Sequence, residues 1–126
     1  MKYWEFDVAR LIADYQDNKN RLVSIQEAMQ VARGYIENPV DESRGDWAQY
    51  YIILELREKE YQMYVDMVDL GFERLPEIER NVLKFWLLEG YSDKYIMDRL
   101  EIDGYGELKK IKKIAITRFV NIVMPD

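Results

Sequence analysis

The chain contains neither cysteine nor histidine. Without cysteine there is no disulfide framework, which excludes a small secreted fold stapled by cross-links. Without either residue there is no Cys/His zinc site and no Ser–His or Cys–His nucleophile pair. A di-iron site built on Glu-x-x-His in a helix bundle is excluded for the same reason. Long apolar runs are missing too: the longest, Tyr50-Tyr51-Ile52-Ile53-Leu54, is five residues, against roughly 20 for a bilayer span. The N-terminal stretch Met1-Lys2-Tyr3-Trp4-Glu5-Phe6-Asp7 has no uninterrupted apolar core of the signal-peptide kind. No glycine-rich phosphate loop is present. These absences lead us to expect a cytoplasmic protein that is not an enzyme, with no cofactor, no metal and no membrane partner.

What remains is one domain's worth of chain, 126 residues, 48% hydrophobic and 33% charged, a composition that folds. The net charge is −6, unlike the basic footprint usual in DNA binders. The distribution is uneven. Residues 104–126 hold five Lys or Arg against two Asp or Glu, and four of the five lie in Lys109-Lys110-Ile111-Lys112-Lys113. That run is either a solvated helix face favoured by the helix dipole or a phosphate-binding patch.

Most of the three prolines and six glycines cluster at joints: Asn38 to Asp46, Leu70 to Pro76, Glu89 to Ser92 and Asp103 to Gly106. Between them the pattern is helical throughout, so the expected fold class is all-α. A 3-4 spacing links Leu11, Tyr15, Asn18, Leu22, Ile25, Met29, Ala32 and Ile36. A second links Trp47, Tyr51, Leu54, Glu58, Tyr61, Val65, Val68 and Phe72, with Asp46 as the expected N-cap. Two such seams joined by one loop predict an N-terminal antiparallel helical hairpin over residues 1–72. Val8, Ile12, Val31, Ile53 and Leu56 widen the apolar stripe beyond the seams. The hairpin is therefore expected to pair with a second copy or to lie against the rest of its own chain.

Residues 73–126 change character. Pro76 suits a first helical turn, and Ile78, Val82, Leu83, Phe85, Trp86 and Leu87 follow it up to a C-cap at Gly90. Ser92 is expected to cap a short helix bearing Tyr95, Ile96 and Leu100. Asp103 is expected to cap a longer one, with Leu108, Ile111, Ala115, Phe119 and Ile122 facing inward. Lys110, Lys113, Thr117 and Asn121 fall on the opposite face, with Lys109 at its edge. Lys112 lies near the apolar stripe, its stem packed and its head in solvent. Helix, short helix, tight turn and helix make a three-helix helix-turn-helix unit, with the Lys-rich helix in the recognition position. Trp86, Leu83, Leu87 and Phe119 are expected to pack together in it.

Leu75-Pro76-Glu77-Ile78-Glu79-Arg80-Asn81-Val82-Leu83-Lys84-Phe85 resembles the start of region 4, the promoter-binding domain, of sigma-70-type factors. Gly90-Tyr91-Ser92-Asp93, then Ile96 and Leu100-Glu101-Ile102, continue the likeness, as does the helix through Ala115-Ile116. With its helical first half, the chain resembles the ArpU/RinA-type transcriptional regulators of prophages from Gram-positive bacteria. The stretch from Ile102 to Ala115 is one residue longer than the sigma pattern, and Asp93, Asp98 and Glu101 make the positioning helix acidic.

The resemblance implies a DNA-binding phage or prophage regulator, with double-stranded DNA and RNA polymerase as partners. A homodimer through the N-terminal hairpin suits helix-turn-helix binding to paired half-sites. The implied DNA-binding residues are Ser92 and Lys94 at the start of the short helix, and Tyr105, Glu107, Lys109, Lys110, Lys113 and Thr117 on the recognition helix. Lysines neutralise phosphates or donate to guanine, Glu107 can accept from cytosine, and a helix N-terminus binds phosphate. The alternative is a protein–protein adapter, binding RNA polymerase or a phage assembly factor through the same unit. The two readings differ in one observable: a DNA binder exposes Lys109, Lys110, Lys113 and Arg118 clear of carboxylates. An adapter buries that helix against the hairpin.

Two other patterns carry less. Asp66, Asp69 and Glu73 share a helix face and could suit a hard cation, but read as a solvated edge. Tyr50, Tyr51, Tyr61 and Tyr64 read as amphipathic packing.

Overall fold

The computed structural model describes residues 2–38 and 44–124. Every regular element among them is helical, with no strand: α1 (Lys2–Ala13), α2 (Tyr15–Glu37), α3 (Arg44–Arg74), α4 (Glu77–Leu83), α5 (Asp93–Leu100) and α6 (Tyr105–Val123). A π-helical turn, Lys84–Leu88, extends α4. No helix of the described residues is long and apolar enough to cross a membrane. Part of the first joint, residues 39–43, lies outside the described residues.

Both heptad series are the inner faces of their helices. Every member, from Leu11 to Ile36 and from Trp47 to Phe72, is buried or half-buried. Two joints differ from the sequence expectation. α3 begins at Arg44, so Asp46 stands in its first turn, where an acid favours the dipole, and not at the N-cap. Gly71 is no breaker: α3 runs through it to Arg74.

The chain divides into two compact units. The first comprises Asp17–Val65. Here the Tyr35 ring stacks on Trp47 with centroids 4.5 Å apart. Arg33 Nη2 donates to the Tyr51 hydroxyl at 2.5 Å, and the Arg21 guanidinium lies 5.8 Å from the Tyr61 centroid. Residues 21, 33 and 35 thus meet 61, 51 and 47, so the two helices of this unit run in opposite senses.

The other unit joins Met1–Gln16 to Asp66–Asp126. Its principal core holds Val8, Ile12, Val68, Phe72, Leu75, Leu83, Ala115, Ile116 and Phe119. A smaller core, Val82, Ile96 and Leu108, ties α4, α5 and α6 together. The π turn serves both. Its wider coil places Phe85 and Trp86 on the smaller core and Trp86, Leu87 and Leu88 on the larger. The expected packing of Trp86 and Leu87 with Leu83 and Phe119 is present, with Trp86 reaching both clusters. Gly90, at φ +68°, then ends the helix, and Tyr91 N–H closes it by donating to Phe85 O at 2.9 Å.

In this unit the Tyr15 hydroxyl donates to Asp69 Oδ1 at 2.5 Å. Burial first, then the Asp69 carboxylate, push the phenol from 10.0 up to about 12. The folded state therefore holds the proton more tightly than the unfolded chain. The resulting stability is complete below pH 10 and is lost as pH rises through 12. Tyr15→Phe should cost on the order of 1 kcal/mol at neutral pH. It should also remove part of the stability loss between pH 10 and pH 12 in urea melts; an unchanged alkaline limb would show that another group carries it.

Candidate nucleic-acid interface

The unit's last three helices set the candidate site. Ser92 caps α5 as expected: its Oγ accepts from Tyr95 N–H at 3.2 Å. Asp103 does not cap α6. Gly104 is the N-cap, at φ +100°, with no side-chain cap bond. The connection instead turns at Glu101, in the left-handed region at φ 55°, while Ile102 N–H reaches Met97 O at 2.9 Å. Asp103 is thus displaced one residue too early to cap.

The inward stripe of α6 is as the period predicts. Leu108, Ala115 and Phe119 are buried, and Ile111 and Ile122 half-buried. Lys109, Lys110, Lys113, Thr117 and Asn121 are exposed on the other side. No ion pair or hydrogen bond within the described residues engages Lys109, Lys110 or Lys113. Lys113 and Thr117 border a shallow depression with Ile114, Arg118 and Asn121. Tyr105 and Glu107 are exposed in the first turn of α6, and Lys94 in the first turn of α5.

Two cations behave differently from the sequence reading. Lys112 does not leave its head in solvent. Its Nζ lies 2.6 Å from Asp93 Oδ1 and 4.5 Å from the Trp86 ring centroid. Asp93 is thereby neutralised rather than left to repel a phosphate, and the bond fastens the start of α5 to the middle of α6. Ser92 and Lys94, on either side of Asp93, are held beside the α6 turn that carries Lys109 and Lys113. Arg118 is not clear of carboxylates either: its Nε donates to the buried Glu79 at 2.7 Å.

The Glu79-Arg80 pair, read in the sequence only as a motif, acquires separate structural tasks. Glu79 holds α6 to α4 through Arg118. Arg80 caps the end of α3: Nε donates to Phe72 O at 2.6 Å and Nη2 to Leu75 O at 3.0 Å. The signal in the sequence was an acid inside the apolar arc of a short helix, which requires a cation opposite.

Of the residues the short helix bears, Ile96 is buried, Leu100 half-buried and Tyr95 turned outward. It is exposed, 4.3 Å from Tyr91 between ring centroids, with Phe85 behind both at 5.7 and 6.3 Å. Asp66, Asp69 and Glu73 do not converge: no group of three possible metal ligands occurs among the described residues. No family model, no curated protein and no solved structure matches this chain.

Proposed function

We propose that this protein is a cytoplasmic DNA-binding transcription regulator of the prophage type its sequence resembles. α4, α5 and α6 act as a helix-turn-helix, residues 73–126 forming the DNA-binding domain and the hairpin of residues 1–72 the arm. The observation that carries this reading is the row Lys109, Lys110 and Lys113, exposed and without carboxylate partners on the outer face of a helix whose inner face is core. α6 lies against the major groove, with Tyr105, Glu107, Lys109 and Lys110 in the turns that reach base edges. Ser92, Lys94, Lys113 and Thr117 contact phosphates. The protein acts as a homodimer through its N-terminal helices, which doubles a small complement of cations on an acidic body.

The exposed Tyr91–Tyr95 pair favours a second, protein-directed contact on the same unit, since tyrosine is enriched at interfaces. RNA polymerase is the partner that the resemblance implies for it.

Fluorescence anisotropy with duplex DNA flanking the gene tests the reading. Lys110→Ala with Lys113→Ala should weaken binding while helicity stays unchanged. The slope of log affinity against log salt should fall by about 0.9 for each phosphate contact removed. Undiminished binding by the double variant would reject α6 as the reading helix.

A further inference from the structure

α3 carries a second heptad series, two residues out of phase with its buried one: Gln49, Ile52, Leu56, Lys59 and Met63. At ~100° per residue these side chains lie on the side of α3 opposite Leu54, which is buried. Leu56 keeps 64% of its surface exposed, Ile52 58% and Met63 51%. A single exposed leucine needs no explanation, but a row at 3-4 spacing is the pattern of a helix that packs on both sides. The row lies entirely within the Asp17–Val65 unit, a pair of helices with little interior of its own.

We propose that a second copy of this chain covers the row, α3 against α3 in an antiparallel two-fold contact centred between Arg57 and Glu58. The spacing from Ile52 to Leu56, Lys59 and Met63 is four, three and four residues, the same in either direction. An antiparallel two-fold therefore sets Ile52 against Met63 and Leu56 against Lys59, each pair occurring twice. The charges give the direction. Lys59 is the one cation in the row, and neither it nor Glu55 makes an ion pair within the described residues. Antiparallel pairing sets each Lys59 level with Leu56 of the second copy, its stem lying over that side chain and its ammonium one residue from Glu55. Parallel pairing would instead set Lys59 against Lys59 at the centre, like charges in contact. The row from Ile52 to Met63 is only about 16 Å long at ~1.5 Å per residue. A contact at the small end of the interface range follows, with dissociation in the micromolar regime.

The proposal gives a surface and a direction to the pairing stated above, and it is tested without DNA, so its outcome and that of DNA binding are independent. In sedimentation equilibrium of the full chain from about 5 to about 200 µM, the mass should climb from 15.2 kDa toward twice that value. Leu56→Glu with Met63→Glu should remain monomeric throughout, with unchanged helicity because both side chains are on the surface. Lys59→Glu should weaken the dimer at least tenfold, and adding Glu55→Lys should restore it. The absence of native cysteine allows the direction to be read by cross-linking. Glu60→Cys should link through a short bis-maleimide. Gln49→Cys should not, its two copies being about 26 Å apart along an antiparallel pair at ~1.5 Å per residue. A monomer at every concentration would overturn both the pairing and this surface. A dimer that survives Leu56→Glu with Met63→Glu, or that links through Gln49→Cys, would keep the pairing and overturn this surface.

Discussion

Gly71→Ala should lower the melting temperature by about 8–10 °C, although alanine is the better helix former. Inside a helix the exchange ordinarily gains about 1 kcal/mol. Here a Cβ would stand 2.1 Å from Phe119 Cε2, 2.5 Å from Cζ and 2.6 Å from Cδ2. Phe119 cannot swing aside. It is fully buried and meets Phe72 edge-on, with centroids 5.9 Å apart and ring planes at 71°. The remaining relief is for α3 and α6 to separate within their unit, which opens the core that Val68, Phe72 and Ala115 share with them. Overpacking of this kind costs typically 1–3 kcal/mol and occasionally more. A net loss on the order of 2 kcal/mol then corresponds to that shift at ~4–5 °C per kcal/mol for a chain of this size. Gly34→Ala is the control. Gly34 is also helical and nothing lies within 4 Å of its added Cβ, so the same exchange should raise the melting temperature by a few degrees. Equal shifts of one sign at the two sites, in thermal melts followed by circular dichroism, would disprove the close approach at Gly71.

Gly71 also shows where a sequence stops being readable. Glycine followed by proline five residues later looks like the end of a helix, yet the glycine serves a contact with a residue 48 positions away. Nothing local encodes that. Period, by contrast, is local, and it located both buried seams and the inner stripe of α6 member by member. The wide N-terminal stripe is an instructive mixture. Val8 and Ile12 are completely buried in the core that includes Phe119, whereas Val31, Ile53 and Leu56 stay exposed. Hydrophobicity marked all five equally; only the packing separates those that the chain covers itself from those it leaves exposed.

The candidate interface was legible to a similar depth. Exposure of Lys109, Lys110 and Lys113 follows from their angle to Leu108 and Phe119 on one helix. The fates of Lys112 and Arg118 do not, because Asp93 and Glu79 stand on other helices, 19 and 39 residues earlier in the sequence. Charge counting treated five cations alike, and the fold commits two of them to holding α6 in place. Those two bonds add to the core contacts of Leu108, Ala115, Ile116 and Phe119 in fixing the face that carries the other three. The π turn was hidden for a different reason. Phe85, Trp86, Leu87 and Leu88 form an unbroken apolar run, and such a run has no period from which an extra residue per turn could be read.

Trp86→Ala should strongly destabilise the unit formed by residues 1–16 and 66–126. The indole lies on the π turn and packs against both clusters, the one around Phe119 and the one around Ile96. It also forms the floor under Lys112, whose ammonium lies 4.5 Å above the ring while bonded to Asp93. Truncating a buried tryptophan costs roughly 3–5 kcal/mol, and the half-burial of this one places the packing loss near the lower figure. Loss of the cation–π contact adds ~0.5–2 kcal/mol. The combined loss approaches a large share of the 5–15 kcal/mol that typically holds a domain folded. Trp86→Phe should recover most of the packing but less of the Lys112 contact. The two contributions can be separated by a double-mutant cycle with Lys112→Met. If the ring and the ammonium act together, the paired change should cost about 1 kcal/mol less than the sum of the single changes, whereas distant sites add to within ~0.5 kcal/mol. Strict additivity in urea melts would leave the indole as filler between the two cores and remove its part in fastening α5 to α6. The DNA affinity of Lys112→Met then decides what that fastening serves. Lys112 is spent on Asp93, so its loss should weaken binding by misplacing Ser92 and Lys94. The salt slope should then fall by at most about 0.9, the one cationic phosphate contact of Lys94.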